Sequence, residues 1–316
     1  MVPARTLTRL FAALPLAFLL VACDARKAGA GASATATRQA QVHAQVQEDW
    51  RAKRVADLVR PDGWTSLVGL HALGRGPHRV GSDTDNGIRL ALGPEHLGVL
   101  DLRGRAARFT PEPGVAITVD GMPVRHAVNL RDDTDPAGPS KLGFDGGKGV
   151  ATLIVRGGET RLRVRHADAP TRVQFAGLAY WPGGPDWRVT ARFIPHPAGK
   201  TLPIANIIGT TDHMPNPGAV EFERDGRRHR LEALDDGSDE LFLVFADRTS
   251  GHGSYGAGRF LHAARPDAQG RVVLEFNQAY NPPCAFSTHA TCPLPPPENR
   301  LDLAVQAGEK AYAGRL

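Results

Sequence analysis

Apolar and polar positions fall in short runs along most of the chain. Trp64–Leu70, Arg79–Val80, Ile88–Leu92, Gly98–Leu102, Ala107–Thr110 and Val115–Val119 are strand-sized and are separated by Gly, Pro and Asp. Asp120-Gly121, just before Met122-Pro123-Val124, is a hairpin-turn signal. Further strands are predicted over Val150–Val155, Arg161–Arg165, Trp187–Phe193, Ala219–Glu223, Arg230–Leu234 and Leu241–Asp247. Arg161-Leu162-Arg163-Val164-Arg165 alternates strictly and reads as a half-buried strand with one arginine face. Leu241–Phe245 is apolar on both faces and predicts a central strand. Short strands at this spacing predict a mainly β fold, sandwich or barrel-like.

Two stretches have a helical period. Val42, Val46 and Trp50, then Val55 and Leu58 or Val59, predict an amphipathic helix over residues 40–60 that Pro61 ends. A short second helix is expected over Leu301–Gln306. Residues 23–39, rich in Ala, Gly, Ser and Thr, read as a flexible tether. The polar Gly/Pro-rich excursion 132–148 is the best candidate boundary, giving possible subdomains 40–140 and 141–316 within one β domain.

The first residues change the picture. Arg5 and Arg9 precede an apolar run, Leu10–Ala22, too short for a comfortable membrane span. The run ends Leu20-Val21-Ala22-Cys23, which resembles the bacterial lipobox. The resemblance implies a signal peptide over 1–22 and a lipid on Cys23. The expected location is the bacterial cell envelope, facing the periplasm, and Asp24 slightly favours the inner membrane. The membrane, reached through that lipid, is then one partner. The net charge of +5 has no basic stripe interleaved with aromatics, so no nucleic-acid partner is expected.

With Cys23 assigned to lipid, Cys284 and Cys292 remain, and an oxidising compartment predicts a disulfide between them. A metal or redox site with His289 is the alternative. Both cysteines lie in a stiff loop with six prolines between Pro282 and Pro297. There is no G-x-S-x-G elbow, H-E-x-x-H, P-loop or C-x-x-C, and no cofactor is expected. Gly251-x-Gly253-x-x-Gly256 precedes a strand pattern and reads as a tight turn. Asp83/Asp85 and Asp235/Asp236 read as turn residues.

Longer strings carry a family resemblance. FADRTSGHGSYGAGRFL and EFNQAYNPPCAFSTHATCPLPPPENRLDLAVQAGEK closely resemble the family catalogued as domain of unknown function 1684, with support upstream from GWTSLVGLHALGRGPHRVGS, FAGLAYWP and HRLEAL. The family has no established activity. The resemblance points to Asp247, Thr249, Tyr255, Arg259, Asn277, Tyr280, Asn281, Cys284, Cys292, Asn299, Glu309 and Lys310. This chain departs from it at Glu275, where Asp is common, and at Gly253-Ser254-Tyr255, where Glu-Thr-Tyr is common. Separately, LGRGPHRVGSDTDNGIRL with VDGMPV is similar to the forkhead-associated domain, in architecture only.

An Asp–Arg pair on neighbouring strands can orient a polar ligand. Asp247, Tyr255 and Arg259 are therefore the candidate catalytic residues of a hydrolase-like enzyme. Asn277, Tyr280, Asn281 and Asn299 are candidate ligand-binding residues around a pocket between 247–259 and 277–299. The leading expectation is a cell-envelope binding or scaffold lipoprotein with an unknown small-molecule or envelope ligand.

Overall fold

The computed structural model describes residue 1 and residues 21–314, with side chains from residue 37 onward. Arg5, Arg9 and most of the apolar leader lie outside the described residues, as does the side chain of Cys23. One long α-helix, Val21–Leu58, takes in both the tether segment and the amphipathic run. Contacts divide the chain into two units, Met1–Val46 and Gln47–Leu316. Among the described residues no helix is long and apolar enough to cross a membrane.

The helix does not bury the valines that predicted it. Val42 and Val46 are 58% and 50% exposed, whereas Gln47 and Leu58 are buried. Arg51 and Arg54 are half-buried, so the inward stripe runs through 47, 51, 54 and 58. Arg54 ties this part of the helix to Glu309 and Asn281, and Leu58 packs with Ala285 and Phe286. Thr65 Oγ1 closes the helix end by donating to the Leu58 carbonyl at 2.6 Å.

Residues 67–166 form a two-sheet sandwich. One sheet has the order 67–72, 159–166, 149–156, 142–144, 117–119, 122–124, and the other 88–89, 76–81, 98–103, 106–111, 128–130. Alternation decides what faces inward. Leu162 and Val164 enter a core with Leu97, Leu100, Phe109, Ile117, Leu142 and Leu153, while Arg161, Arg163 and Arg165 take the opposite face. The 132–148 excursion lies inside this sandwich: Leu142–Phe144 pairs with both Ile117–Val119 and Gly149–Ala151. The two cores part later, after Ala169 and before Trp187.

The second half has a four-stranded antiparallel sheet in the order 227–233, 218–224, 188–195, 271–275. Two hairpins accompany it, Glu240–Phe245 with Arg259–Ala264 and Thr201–Ala205 with Thr211–Pro215. The central strand is as expected, with Leu241, Leu243, Val244 and Phe245 all fully buried. Among the described residues the sheets are open, so the fold is sandwich-like and not a closed barrel.

The helix expected over Leu301–Gln306 is an extended segment. Leu301, Leu303, Val305 and Ala307 are all buried, which is a period of two. Its backbone bonds run sideways: Leu301 N donates to the Ala246 carbonyl at 2.8 Å, and Arg248 N to the Leu303 carbonyl at 3.0 Å.

Candidate functional site

Asp247 and Arg259 meet as the hairpin predicts, but in the interior. Their side chains are 0% and 1% exposed, with Arg259 Nη2 donating to Asp247 Oδ2 at 2.6 Å. Asp247 Oδ1 accepts from Thr249 N and Thr249 Oγ1, both at 2.6 Å. The terminal guanidinium nitrogens also reach residues 305–309: Nη2 donates to the Val305 carbonyl at 2.8 Å, and Nη1 to the carbonyls of Ala307 and Glu309, while Nε is buried without a partner. Burial holds the Arg259 pKa below its ordinary value against the pull of Asp247. The pair fastens residues 305–309 to the central hairpin. The structure places both catalytic candidates, Asp247 and Arg259, in this buried clasp.

Tyr255 is also occupied. Its hydroxyl donates to the Cys284 carbonyl at 3.2 Å, and burial pushes its pKa up to about 12. The glycines beside it form the expected turn, with positive φ at Gly251 and Gly253.

Three of the four predicted binding residues are buried amides that hold backbone. Asn277 Nδ2 donates to the Gly184 carbonyl at 2.8 Å, and its Oδ1 accepts from Gly184 N at 2.9 Å. The variant acid Glu275 supports it, with Oε1 accepting from Asn277 Nδ2 at 2.6 Å. Asn299 Oδ1 accepts from Glu232 N at 2.6 Å, and its Nδ2 donates to the carbonyls of Glu232 and Val244, both at 2.9 Å. Asn281 Nδ2 donates to the Lys310 carbonyl at 2.7 Å. These amides stitch loops where regular pairing stops.

Cys284 and Cys292 are buried side by side as free thiols, so the predicted disulfide is not formed in this structure. Cys284 N donates to Cys292 Sγ at 3.0 Å. The Cys292 thiol's hydrogen bond lowers the Cys284 pKa, while burial raises that of Cys292. His289 does not complete a ligand set with them. Among the described residues, the one convergent group of three is Asp83, Asp85 and His96, on an exposed turn of the first sandwich.

Tyr280 lines an open cavity of about 230 Å³ with Trp50, Lys53, Arg54, Asp57, Trp64 and His262. Its hydroxyl lies 3.1 Å from His262 Nδ1, and His262 Nε2 lies 3.1 Å from Asp236 Oδ2. In the neutral tautomer that donates Nε2–H to Asp236, Nδ1 accepts from the Tyr280 hydroxyl. Burial raises the Asp236 pKa, but hydrogen bonds from Ser238 and His262 outweigh it and leave it low. Burial drives the Tyr280 phenol well above its ordinary pKa, so it stays protonated and donating.

Arg54 forms the other side of the cavity. It lies 4.5 Å from the Tyr280 ring centroid. Its Nε donates to Glu309 Oε1 and its Nη2 to the Asn281 carbonyl, both at 2.9 Å. Glu309, 0% exposed, also accepts from Asn281 N at 2.7 Å through Oε2. His262, Asp236 and Arg54 carried no sequence signal as a site. His262 is one histidine in a strand, Asp236 reads as a turn residue, and Arg54 sits off the valine stripe.

The fold and these contacts define a mainly β protein with a small, open aromatic and cationic cavity between residues 50–64 and the strand carrying His262. The family described as "Protein of unknown function (DUF1684)" matches residues 173–310 of the chain. A solved structure, the solution NMR structure of an uncharacterized protein from gene locus rrnAC0354 of Haloarcula marismortui, is 34% identical, covering 46% of this chain and 81% of that one, with a TM-score of 0.38. No curated protein matches the chain.

Proposed function

We propose that this protein is a cell-envelope lipoprotein, anchored through Cys23, whose β domain binds a small ligand in the Tyr280–His262 cavity. The carrying observation is that His262 is held between Asp236 and Tyr280 on a cavity wall. A half-exposed imidazole oriented on both nitrogens is a preorganised hydrogen-bonding group, and aromatic walls beside it favour a ligand with an apolar body. The cavity is smaller than drug-sized pockets, which run from about 300 Å³. It suits a small molecule or one end of a larger one. The lipobox string and the short apolar leader support the anchor. Cys284 and Cys292 are free in this structure, and an oxidising compartment would be expected to pair them.

A fragment screen by protein-observed NMR tests the cavity. Binders are expected to shift the indole signals of Trp50 and Trp64 and to lose affinity in His262→Ala. Fragments that bind elsewhere, or no binders at all, sink the reading. Metabolic labelling with palmitate tests the anchor, with label expected on the native chain and absent from Cys23→Ala. A thiol titration under denaturing conditions, on protein taken from the envelope, tests the disulfide; two free thiols per chain would count against it.

A further inference from the structure

The charges around the cavity narrow the ligand class, an inference that rests on the cavity being a binding site. They cancel in pairs. Lys53 Nζ lies 2.6 Å from Asp57 Oδ2, Arg54 Nε lies 2.9 Å from Glu309 Oε1, and Asp236 stands behind His262 at 3.1 Å. The Lys53 hydrogen bond, ahead of other influences, holds the Asp57 carboxyl below its ordinary value, so both members of that pair are ionised near neutral pH. Arg163 and Arg165 stack on Trp64 without lining the cavity, and each feels an acid, Asp133 and Asp62 in turn. Among the described residues that line the cavity, an ionised ligand of either sign meets no unmatched counter-charge and binds only by breaking an existing pair. The cavity therefore suits a neutral molecule.

That molecule has two kinds of surface to match. Trp50, Trp64 and Tyr280 offer ring faces. Among the described residues, Tyr280 carries Arg54 on its ring and Trp64 carries Arg163 and Arg165, whereas Trp50 carries neither a stacked ring nor a cation. Trp50 thus has an indole face left for a ligand. Lys53 and Asp57 follow it three and seven positions along the same helix, and so share its side. The ammonium uses one of its three N–H groups on Asp57 Oδ2, and Asp57 Oδ1 accepts nothing from the described residues. Two donors and a carboxylate oxygen therefore stand together beside the indole.

A purely aromatic or aliphatic ligand covers the rings but strips water from these polar groups without replacing it. A sugar ring matches both surfaces. One face of a pyranose presents C–H groups, which pack on the electron-rich face of an indole, and its rim carries vicinal hydroxyls that each donate and accept. A vicinal diol laid against the Lys53–Asp57 pair accepts from the ammonium and donates to the carboxylate, and both bonds are charge-assisted. We propose that the cavity binds one neutral pyranose unit, its C–H face on Trp50 and its vicinal hydroxyls on Lys53 and Asp57. The cavity, about 230 Å³ and open, has room for one ring and lets the rest of a glycan extend outward.

The test is saturation-transfer-difference NMR on the full chain in phosphatidylcholine nanodiscs. The probes are the methyl glycosides of glucose, galactose, mannose and N-acetylglucosamine, with maltose and lactose as disaccharides. Tetrahydropyran-2-methanol, benzoate and benzamidinium are the controls. At least one methyl glycoside is expected to bind saturably, with the strongest transfer to its ring C–H protons, and the three controls are not. Trp50→Ala is expected to abolish that binding, and Trp50→Phe to restore part of it. Asp57→Asn keeps the shape of a side chain 47% exposed but removes its charge, and is expected to weaken binding roughly tenfold. A disaccharide that binds at least as tightly as its terminal unit identifies the end of a glycan as the ligand, and a monosaccharide bound without its disaccharide identifies a free sugar. Tetrahydropyran-2-methanol binding as tightly as the glycosides overturns the role of the diol. Benzoate or benzamidinium binding in their place overturns the neutral ligand but leaves the binding cavity standing. If no glycoside binds, the inference fails, and the fragment screen alone then decides whether the cavity binds anything.

Discussion

Replacing Arg259 with Met separates a structural ion pair from a catalytic one. Methionine fills much of the same volume but has no donors. Asp247 keeps its bonds from Thr249 and loses its counter-charge in a site with no solvent. Breaking a buried pair from one side costs about 3–5 kcal/mol. The carbonyls of Val305, Ala307 and Glu309 also lose this donor, at about 1 kcal/mol or more each. The sum, about 6–8 kcal/mol, is comparable with the whole stability of many proteins, about 5–15 kcal/mol. The expected drop in Tm is on the order of 20 °C, read by circular dichroism. Hydrogen exchange should show the amides of 305–310 losing protection first. Adding Asp247→Asn removes the stranded charge and should recover about half of the loss. A Tm within a few degrees of the native chain would refute the assignment and return the pair to the list of catalytic candidates.

Three further outcomes follow from the same contacts. Asn299→Ala leaves the Glu232 amide and the Glu232 and Val244 carbonyls unpaired in the interior, and should lower the urea-unfolding free energy by about 3 kcal/mol. Gly308→Ala places a Cβ 2.3 Å from the Ala279 carbonyl oxygen at a φ of +78°, and should lower Tm and loosen the tail by limited proteolysis, whereas Gly270→Ala, with a φ of +72° and no neighbour within 4 Å, should pay only the left-handed strain. Burial alone would raise the pKa of Glu232, but His196 and Arg230 hold it lowered from 4.5. The folded value is depressed, so its contribution is complete above pH 4.5 and is lost as pH falls through the folded value. Glu232→Gln should flatten the Tm-against-pH curve in that acid range, and an unchanged acid slope would contradict the assignment.

The β fold was legible because alternation survives in single strands. Leu162 and Val164 against Arg161, Arg163 and Arg165 decide one face, and Leu241–Phe245 decides a centre. Misreadings arose where partners distant in sequence override a local period. Leu301, Leu303 and Val305 fit a short helix on paper, yet Arg259 and Ala246 capture that backbone in an extended line. The valines of the helix gave the right element and the wrong face, because Arg54 is drawn inward by Glu309, 255 residues away. The family strings singled out a real cluster, but identity alone does not separate a buried clasp such as Asn299 from a group that meets solvent. His262 was invisible because its role comes from Asp236 and Tyr280, on different segments.

The Arg54–Glu309 contact bears on where this protein can be cut. The matched family region begins at residue 173, yet the guanidinium that neutralises its innermost carboxylate comes from residue 54. A fragment limited to 173–310 would present Glu309 as an unmatched charge and lose Trp50, Lys53, Arg54, Asp57 and Trp64 from the cavity. Fragments that begin upstream of Trp50 keep both the Arg54–Glu309 pair and the cavity lining.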